Sequence, residues 1–420
     1  MPELDSHIRA LASASDGRAP KLFKRGTHRT SPPDETAARV APLARQIGIT
    51  RVGNVTGLDE IGIPVVIAVR PNSRSFSVSQ GKGLNLAQAR ASALMEAIEL
   101  FHGEDISART RVASERAISA DRCAVASATL CGTGNPLPAS AAIRWIEGYD
   151  LLCRESCWVP WEVVHTDYTL PTEHSGLHFL SGTNGIAAGN HLLEALSAAV
   201  CELVEHDAVA LWHAGGLRER ARCRLDTTSV DDEDCQGLLD KYHAAGVVPR
   251  IWDVTSDVGI ATFVCDLPAQ EGQVAGLRRF RGAGSHPNRS IALVRALTEA
   301  AQIRLTYITG NRDDLPASDY QESASERLGA ALLDAVSHDA APLSFGRVAH
   351  FDADDLACDL EWELEQLRSA GIERVVAVDL TRSDVGIPVV RVVIPGLEWD
   401  CTHPDYTPGA RARRAGHGAR

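Results

Sequence analysis

Paired cysteine motifs are missing from this 420-residue chain. Its ten cysteines are scattered, and none forms the Cys-x-x-Cys pair that is typical of zinc ribbons and thioredoxin-like sites. Residues 1–5 have neither the basic start nor the apolar run of a signal peptide. No apolar run is long enough to span a membrane. These absences predict a reduced, cytoplasmic enzyme.

The chain also lacks an excess of basic residues. It carries 42 Lys and Arg against 55 Asp and Glu, which gives a formal net charge of −13 at pH 7. This balance argues against a general nucleic-acid or membrane-surface binder, although it is compatible with a local basic patch. The length and an ordinary globular composition, with 44% hydrophobic and 23% charged residues, allow two or three domains or one large one.

Glutamates occur in two similarly spaced pairs inside apolar stretches. Glu96 and Glu99 form the first pair, and Glu202 and Glu205 form the second. Residues three apart lie on one helix face, so helices that face each other would bring four carboxylates together. Buried carboxylates repel one another unless cations hold them, and oxygen-only ligands suit Mg²⁺. Since the apolar neighbours leave neither helix a wide polar face, we predict a magnesium site rather than a solvated helix face.

Three glycine-rich segments precede long helices. The sequence predicts a turn at 79–83 and loops at 181–190 and 282–287. The helices that follow the two loops are predicted at about 192–212 and 289–306. Strands are predicted between the helices, whereas residues 106–140 show no regular pattern. The whole is typical of a mixed α/β protein whose polar groups gather where the loops meet.

Two basic residues are candidates for phosphate contacts. Lys82 lies in a Gly-Lys-Gly triplet before the first glutamate helix, where backbone amides and a helix N-terminus favour anions. The segment is not a Walker A loop, because Phe76 stands where that motif has its first glycine. Arg295, on the third helix, offers a fork that is always charged. The alternative for Lys82 is a plain surface turn, and the alternative for Arg295 is a surface ion pair.

Glu99 and His102 also match the Glu-x-x-His signature of di-iron carboxylate bundles. Such a site needs a second copy of the signature. The second helix reads Glu202-Leu203-Val204-Glu205-His206, with no histidine three residues after a glutamate. The di-iron alternative is therefore disfavoured.

Taken in order along the chain, these segments resemble the YcaO-domain family. The matching pieces are Ser79–Gly83, Ser92-x-x-x-Glu96-x-x-Glu99, Gly189-Asn190-x-x-x-Glu194, Glu202-x-x-Glu205, and His286-Pro287 followed by Ala292-Leu293-Val294-Arg295. Each piece is short, but the whole series with these spacings is specific, and with weaker flanking matches it spans roughly residues 25–400. The resemblance implies a mixed α/β (α+β), YcaO-like fold with a nucleotide site between long helices and mixed sheets.

The resemblance implies an enzyme that uses ATP and Mg²⁺ to modify peptide backbone amides. It implies that Mg²⁺ is held by Glu96, Glu99, Glu202 and Glu205. It implies nucleotide or phosphate contacts for Arg29, Thr36, Lys82, Ser92, Asn190, Glu194, His206 and Arg295. His206 departs from the pattern, because many relatives have arginine there and histidine is partly neutral near pH 7. The resemblance does not identify the catalytic residues that act on the peptide.

The resemblance also divides the chain into three parts. An N-terminal extension would cover residues 1–24, and a YcaO-like catalytic domain residues 25–402. The remaining tail, residues 403–420, is rich in Gly, Ala and Arg, so we expect it to be mobile.

Two reactions of the family are open, and both activate the amide by O-phosphorylation. Cyclisation of Cys, Ser or Thr gives azolines, whereas exchange of the carbonyl oxygen for sulfur gives a thioamide. The Pro-x-Pro-x-Pro terminus that is typical of azoline-forming members is absent, and segments 57–64 and 70–73 resemble members found with TfuA. The resemblance therefore favours thioamide formation in a ribosomally made peptide or protein, with a TfuA-like partner and without nucleic acid or a membrane. A homodimer, an azoline product and a non-catalytic accessory factor for ribosomal protein methylthiolation stay open.

Overall fold

A computed structural model describes residues 10–13, 17–169, 178–268, 279–312, 315, 317–320, 323–338 and 341–417 of the chain. Within these ranges, long helices pack on several separate sheets, which confirms the mixed α/β class. None of the described helices combines the length and the apolar character needed to cross a membrane.

The main helices lie between the strands along the whole chain. They are α1 (Pro33–Val40), α2 (Leu86–Glu104), α3 (Glu115–Asp121), α4 (Leu192–Ala214), α5 (Leu217–Arg222), α6 (Glu233–Ala244), α7 (Arg289–Thr309), α8 (Ala324–His338), α9 (Leu356–Ser369) and α10 (Ala410–His417).

The strands are mostly short. They are β1 (Arg51–Asn54), β2 (Val65–Val69), β3 (Val78–Lys82), β4 (Thr110–Ser114), β5 (Ala142–Asp150), β6 (Glu155–Pro160), β7 (Ile186–Ala188), β8 (Leu225–Asp226), β9 (Arg250–Asp253), β10 (Thr262–Leu267), β11 (Phe280–Ser285), β12 (Leu343–Ser344), β13 (Val376–Asp379) and β14 (Val389–Val393).

The larger sheets are antiparallel. One contains β1, β2 and β3 in that order, and a second contains β11, β10 and β9. The third sheet has the order β4-β5-β13-β14-β7, with β6 also paired to β5. Helix α2 packs on β3, α7 packs on β11, and α4 packs on β7, β14 and β11. The three helices that carry the predicted site residues therefore converge from three sheets.

Glycines bring two of these strands into close contact with their helices. A Cβ atom at Gly81 would lie 2.0 Å from the backbone nitrogen of Ala93 in α2. A Cβ atom at Gly284 would lie 2.2 Å from the carbonyl oxygen of Ala292 in α7. The turn predicted at 79–83 and the loop predicted at 282–287 are thus wrong for β3 and β11, because their glycines serve helix–strand packing rather than chain reversal.

The helix boundaries follow the sequence closely. The helices predicted at 192–212 and 289–306 are confirmed as α4 and α7. The side chain of Asn85 caps α2 by accepting a hydrogen bond from the Gln88 backbone nitrogen at 3.0 Å. By contrast, residues 106–140 are not wholly irregular, since they contain β4 and α3.

The C-terminal segment is ordered against α4 up to residue 417, which corrects the expectation of a mobile tail. Arg411 is buried and donates hydrogen bonds to Asp207 of α4 at 2.8 and 2.9 Å. The Glu398 carboxylate accepts hydrogen bonds from the backbone nitrogens of Gly409 and Ala412, at 2.7 and 2.8 Å, at the start of α10. Ion pairing and helix capping therefore compensate for the low apolar content. Residues 418–420 lie outside the described part of the chain.

Part of the predicted N-terminal extension packs on the rest of the protein. Lys21 is buried, and its Nζ lies 2.7 Å from an Asp359 carboxylate oxygen on α9. The backbone nitrogen of Lys21 also donates to the Asp354 carbonyl at 2.9 Å. Residues 1–9 and 14–16 of the extension lie outside the described residues.

Candidate active site

A cavity of about 400 Å³ lies where α2, α4 and α7 meet. Its lining includes eleven of the twelve residues predicted from the sequence: Arg29, Thr36, Lys82, Ser92, Glu96, Glu99, Asn190, Glu194, Glu202, Glu205 and Arg295. The twelfth, His206, directly follows a lining residue but does not itself line the cavity. Residues separated by more than 250 positions in the sequence thus share one site.

Backbone amides fix the four paired glutamates in the cavity wall. Each carboxylate accepts a hydrogen bond from the backbone of a neighbouring strand or loop through one of its oxygens. The pairs are Glu96 with Gln80 at 3.3 Å, Glu99 with Ala188 at 2.7 Å, Glu202 with Gly185 at 3.1 Å and Glu205 with Ser285 at 2.9 Å. This arrangement orients the carboxylates and leaves their second oxygens for a ligand.

Burial makes the ionised form of these glutamates costly. It raises the pKa of Glu96 to about 7 and the pKa of Glu99 well above its usual value, with the charge of Glu202 adding to both shifts. Burial and the charge of Glu299 also raise the pKa of Glu205. A cation in the cavity would remove this cost by pairing with the carboxylates.

Cationic side chains lie beside the carboxylates. Arg295 Nη2 is 3.7 Å from Glu205 Oε2, and Lys82 forms an ion pair with Glu299. Glu299 was not predicted as a site residue, although its position one helical turn after Arg295 was a usable signal. Burial would raise the pKa of Glu299, but Lys82 lowers it, so this carboxylate is ionised. Lys82 itself ends strand β3 rather than lying in a turn.

Glu194 holds the N-terminal segment in place. Its carboxylate accepts hydrogen bonds from the Thr30 backbone and from Thr30 Oγ1, the latter at 2.8 Å, and from the Asn190 backbone at 2.6 Å. Thr36 Oγ1 lies 3.1 Å from Asn190 Oδ1. These contacts bring α1 and the neighbouring Arg29 to the rim of the cavity.

His206 has a different charge from the one expected. Burial alone would lower its pKa, but Glu202, whose carboxylate oxygen is 3.9 Å from the imidazole Nε2, raises the pKa to about 9 together with Asp400 and Glu205. With cation-free carboxylates the imidazole is therefore protonated near pH 7. In this cation-free state His206 differs from the partly neutral side chain expected from the sequence, because its acidic neighbours favour the charged form.

The residues that line the cavity fit Mg²⁺ and a nucleoside triphosphate. The donors of the paired glutamates are carboxylate oxygens only, which a hard cation prefers. Lys82, Arg295 and Arg29 line the same cavity and suit phosphate oxygens. The chain thus provides carboxylates that could hold a metal ion and cationic side chains that could hold phosphates around one volume.

Comparison with known sequences agrees with this arrangement. The model of the family described as YcaO cyclodehydratase, ATP- and Mg²⁺-binding, matches residues 80–398. An uncharacterized protein of Methanothermobacter thermautotrophicus is 35% identical over 395 residues, which are 91% of this chain and 97% of that protein. An uncharacterized protein in the tfuA 3′ region of Rhizobium leguminosarum bv. trifolii is 34% identical over 400 residues, or 92% of each chain.

Two solved structures share the fold. YcaO from Methanopyrus kandleri, bound with AMPPCP and Mg²⁺, has a TM-score of 0.72 at 23% identity and covers 93% of this chain and 99% of its own. A heterocyclase in complex with substrate and cofactor has a TM-score of 0.73 at 24% identity over 91% of this chain. The match covers 54% of the heterocyclase, so this chain spans about half of it.

The family match over most of the chain and two full-length relatives above 30% identity lead to one assignment. The chain belongs to the YcaO family of peptide-modifying enzymes, which bind ATP and Mg²⁺.

Proposed function

We propose that this enzyme phosphorylates the oxygen of a peptide backbone amide with ATP and thereby allows sulfur to replace that oxygen. The observation that carries the proposal is the cavity itself, in which the buried carboxylate of Glu205 and the half-buried carboxylates of Glu96, Glu99 and Glu202 share one lining with Lys82 and Arg295. A phosphoryl transfer needs little covalent chemistry from the protein and depends on positioning and charge neutralisation. The cavity offers both.

The site residues divide into three groups in this proposal. Glu96, Glu99, Glu202 and Glu205 hold Mg²⁺, which when bound offsets the negative charge of the phosphates and of the carboxylates. Lys82 and Arg295 contact phosphate oxygens, and His206 lies beside Glu202 without a phosphate contact of its own. The nucleotide is positioned by Arg29, Thr36, Ser92 and Asn190, and Glu194 acts indirectly by holding Thr30 and Asn190.

The proposed reaction balances with a hydrosulfide-class sulfur donor. The sulfur adds to the amide carbon, and the resulting oxyanion takes the γ-phosphoryl group with release of ADP. The oxygen then leaves with phosphate, and the carbon–sulfur bond remains as a thioamide. Phosphate is a far better leaving group than the amide oxygen.

One observation favours the thioamide over an azoline product. The Rhizobium leguminosarum relative is described by its place in the tfuA 3′ region, which supports a TfuA-like partner. We propose that a precursor peptide and a TfuA-like protein complete the system.

Calorimetry with Mg·ATP tests the nucleotide site. Glu99→Gln and Glu202→Gln keep the side-chain shape but remove a charge, and each is expected to weaken binding about tenfold or more. Glu361→Gln, an exposed position on α9, is the matched control and should bind as the wild type does. Unchanged binding in both site variants would contradict the magnesium assignment.

Mass spectrometry of a reconstituted reaction tests the product. The purified chain, its TfuA-like partner, the precursor peptide, sulfide and Mg·ATP should give a peptide in which one oxygen is exchanged for sulfur. Loss of one water would instead identify an azoline. Modified peptide without ATP consumption would contradict the phosphorylation step, and ATP binding without any product would favour the accessory-factor alternative.

A further inference from the structure

A second group of basic side chains lies outside the cavity, along the contact between α4 and β11. Arg281 of β11 donates a hydrogen bond through Nη1 to Nε2 of His213 on α4 at 2.9 Å. The guanidinium of Arg220, on α5, stacks 4.2 Å from the centre of the Trp212 ring, and Arg281 lies 5.6 Å from the same centre. We call Trp212, His213, Arg220 and Arg281 the distal basic cluster.

The distal basic cluster has more positive charge than its neighbours balance. Arg281 reaches Asp266 at 3.5 Å, but that carboxylate is also held by Arg279 at 2.8 Å. No carboxylate in the described residues pairs with Arg220. Burial and the nearby Arg281 lower the pKa of Arg220 to about 10, so the two guanidinium groups repel each other.

Hydrogen-bond donors in the cluster also lack acceptors. The Nε atoms of Arg220 and Arg281 and Nε1 of Trp212 are buried, and none meets an acceptor within the described ranges. Trp212 is only 6% exposed, so its indole donor has no access to bulk water. A buried donor without an acceptor is costly, and an anionic ligand beside the accessible part of the Arg281 guanidinium would reduce the charge repulsion within the cluster.

The cluster continues the line of the metal-binding carboxylates. His206 and His213 are seven residues apart on α4, which places them on one helix face about 10 Å apart. On β11, the backbone nitrogens of Ser285 and Ala283 hold Glu205 and Glu299, and Arg281 follows two residues further along the same strand face. The Arg281 side chain is 34% exposed, so a ligand can reach it.

The geometry points to a subsite that binds a carboxylate of the peptide substrate. This inference rests on the proposed function for the presence of a peptide. Two guanidinium groups beside a neutral histidine suit a planar carboxylate, which accepts paired hydrogen bonds. An Asp or Glu side chain or the C-terminus of the peptide would supply such a carboxylate.

Fluorescence anisotropy with labelled decapeptides tests the subsite on the full chain in the presence of Mg·ADP. One peptide carries a single central Asp and an amidated C-terminus, a second carries Asn instead, and a third has Asn and a free C-terminus. The Asp peptide is expected to bind about tenfold more tightly than the Asn peptide. A preference for the third peptide would assign the subsite to a terminal carboxylate.

Substitutions in the distal basic cluster test whether it causes the preference for the Asp peptide over the Asn peptide. Arg220→Gln and Arg281→Gln should remove it, and Arg281→Lys should retain part of it because the charge stays. Arg218→Gln, an exposed neighbour on α5, is the matched control and should behave as the wild type does. The subsite assignment is overturned if the Asp and Asn peptides bind equally or if neither binds. It is also overturned if both Gln variants keep the full preference for the Asp peptide. Mg·ATP calorimetry of the same variants should be unchanged, which separates failure of the subsite from failure of the nucleotide site.

Discussion

Arg411 and Asp207 form a two-point ion pair that connects the C-terminal helix α10 to α4, the helix that carries Glu202 and Glu205. Arg411 Nε lies 2.8 Å from Asp207 Oδ1, and Nη2 lies 2.9 Å from Oδ2. Both side chains are almost completely buried, and Asp207 follows Glu205 by two residues on α4. The position of α4 is thereby coupled to the helix α10.

Arg411→Leu should destabilise the protein strongly. The substitution leaves the carboxylate of Asp207 buried without its partner, which costs about 3 to 5 kcal/mol. Urea unfolding followed by circular dichroism measures the loss. Arg414→Gln, an exposed position on the same helix, should change stability little. The double variant Asp207→Leu/Arg411→Leu should recover part of the loss, because no unpaired buried charge remains and Asp257, the second partner of Arg411, is exposed to water. An Arg411→Leu protein as stable as the Arg414→Gln protein would show that α10 contributes nothing.

Gly284→Ala should disrupt the contact between β11 and α7. The added methyl group would meet backbone atoms of Ala292 and Ala296 at 2.2 and 2.5 Å, and backbone cannot move aside as a flexible side chain can. A loss of about 3 kcal/mol or more in unfolding free energy is expected. Gly237→Ala on α6 is the contrasting control, because a methyl group there meets nothing within 4 Å and should stabilise the helix by up to about 1 kcal/mol. Equal effects of both substitutions would contradict the packing argument.

His102 should make the fold sensitive to acid. Burial lowers its pKa to about 4, and its Nδ1 bonds to the Ile98 carbonyl at 2.7 Å. The unfolded chain takes up a proton near pH 6.5 whereas the folded chain does not, so stability falls as the pH drops from 6.5 to 4. The contribution is about 3 kcal/mol over that interval. His102→Gln should flatten this part of the pH profile, measured as the difference in unfolding free energy from wild type. A difference that is constant between pH 7 and pH 4.5 would contradict the neutral, buried state.

Glu99→Gln should stabilise the protein while weakening Mg·ATP binding. Because burial raises the pKa of Glu99, its ionised form lowers stability at neutral and higher pH, and this penalty is relieved as the pH falls. In EDTA at pH 8 the variant should therefore melt at a higher temperature than wild type. Addition of Mg·ATP should reverse the order. If the variant also melts lower in EDTA, Glu99 has a structural role that needs its charge.

The mixed α/β class was predictable from the sequence, and the structure brings the glutamate pairs and Arg295, which were also singled out there, to one cavity. Helical spacing of the glutamates in an apolar segment is a local signal, so it can be read from the sequence alone. The strand character of β3 and β11 was not, since glycines there resemble turn residues and only the packed helix explains them. Arg411 could not be matched with Asp207, because 204 positions separate them and an Arg-rich segment looks solvated. The charge of His206 likewise depends on Asp400, which is distant in sequence.

The glycine contacts of β3 and β11 have a consequence for how this architecture tolerates sequence change. The distance between each helix and its strand is set by main-chain atoms touching main-chain atoms, at positions where no side chain intervenes. Replacement of side chains elsewhere in the core therefore does not alter the spacing of the carboxylates above them. A fold built on such contacts is expected to persist while side chains diverge, and the Methanopyrus kandleri structure shares this fold with a TM-score of 0.72 at 23% identity.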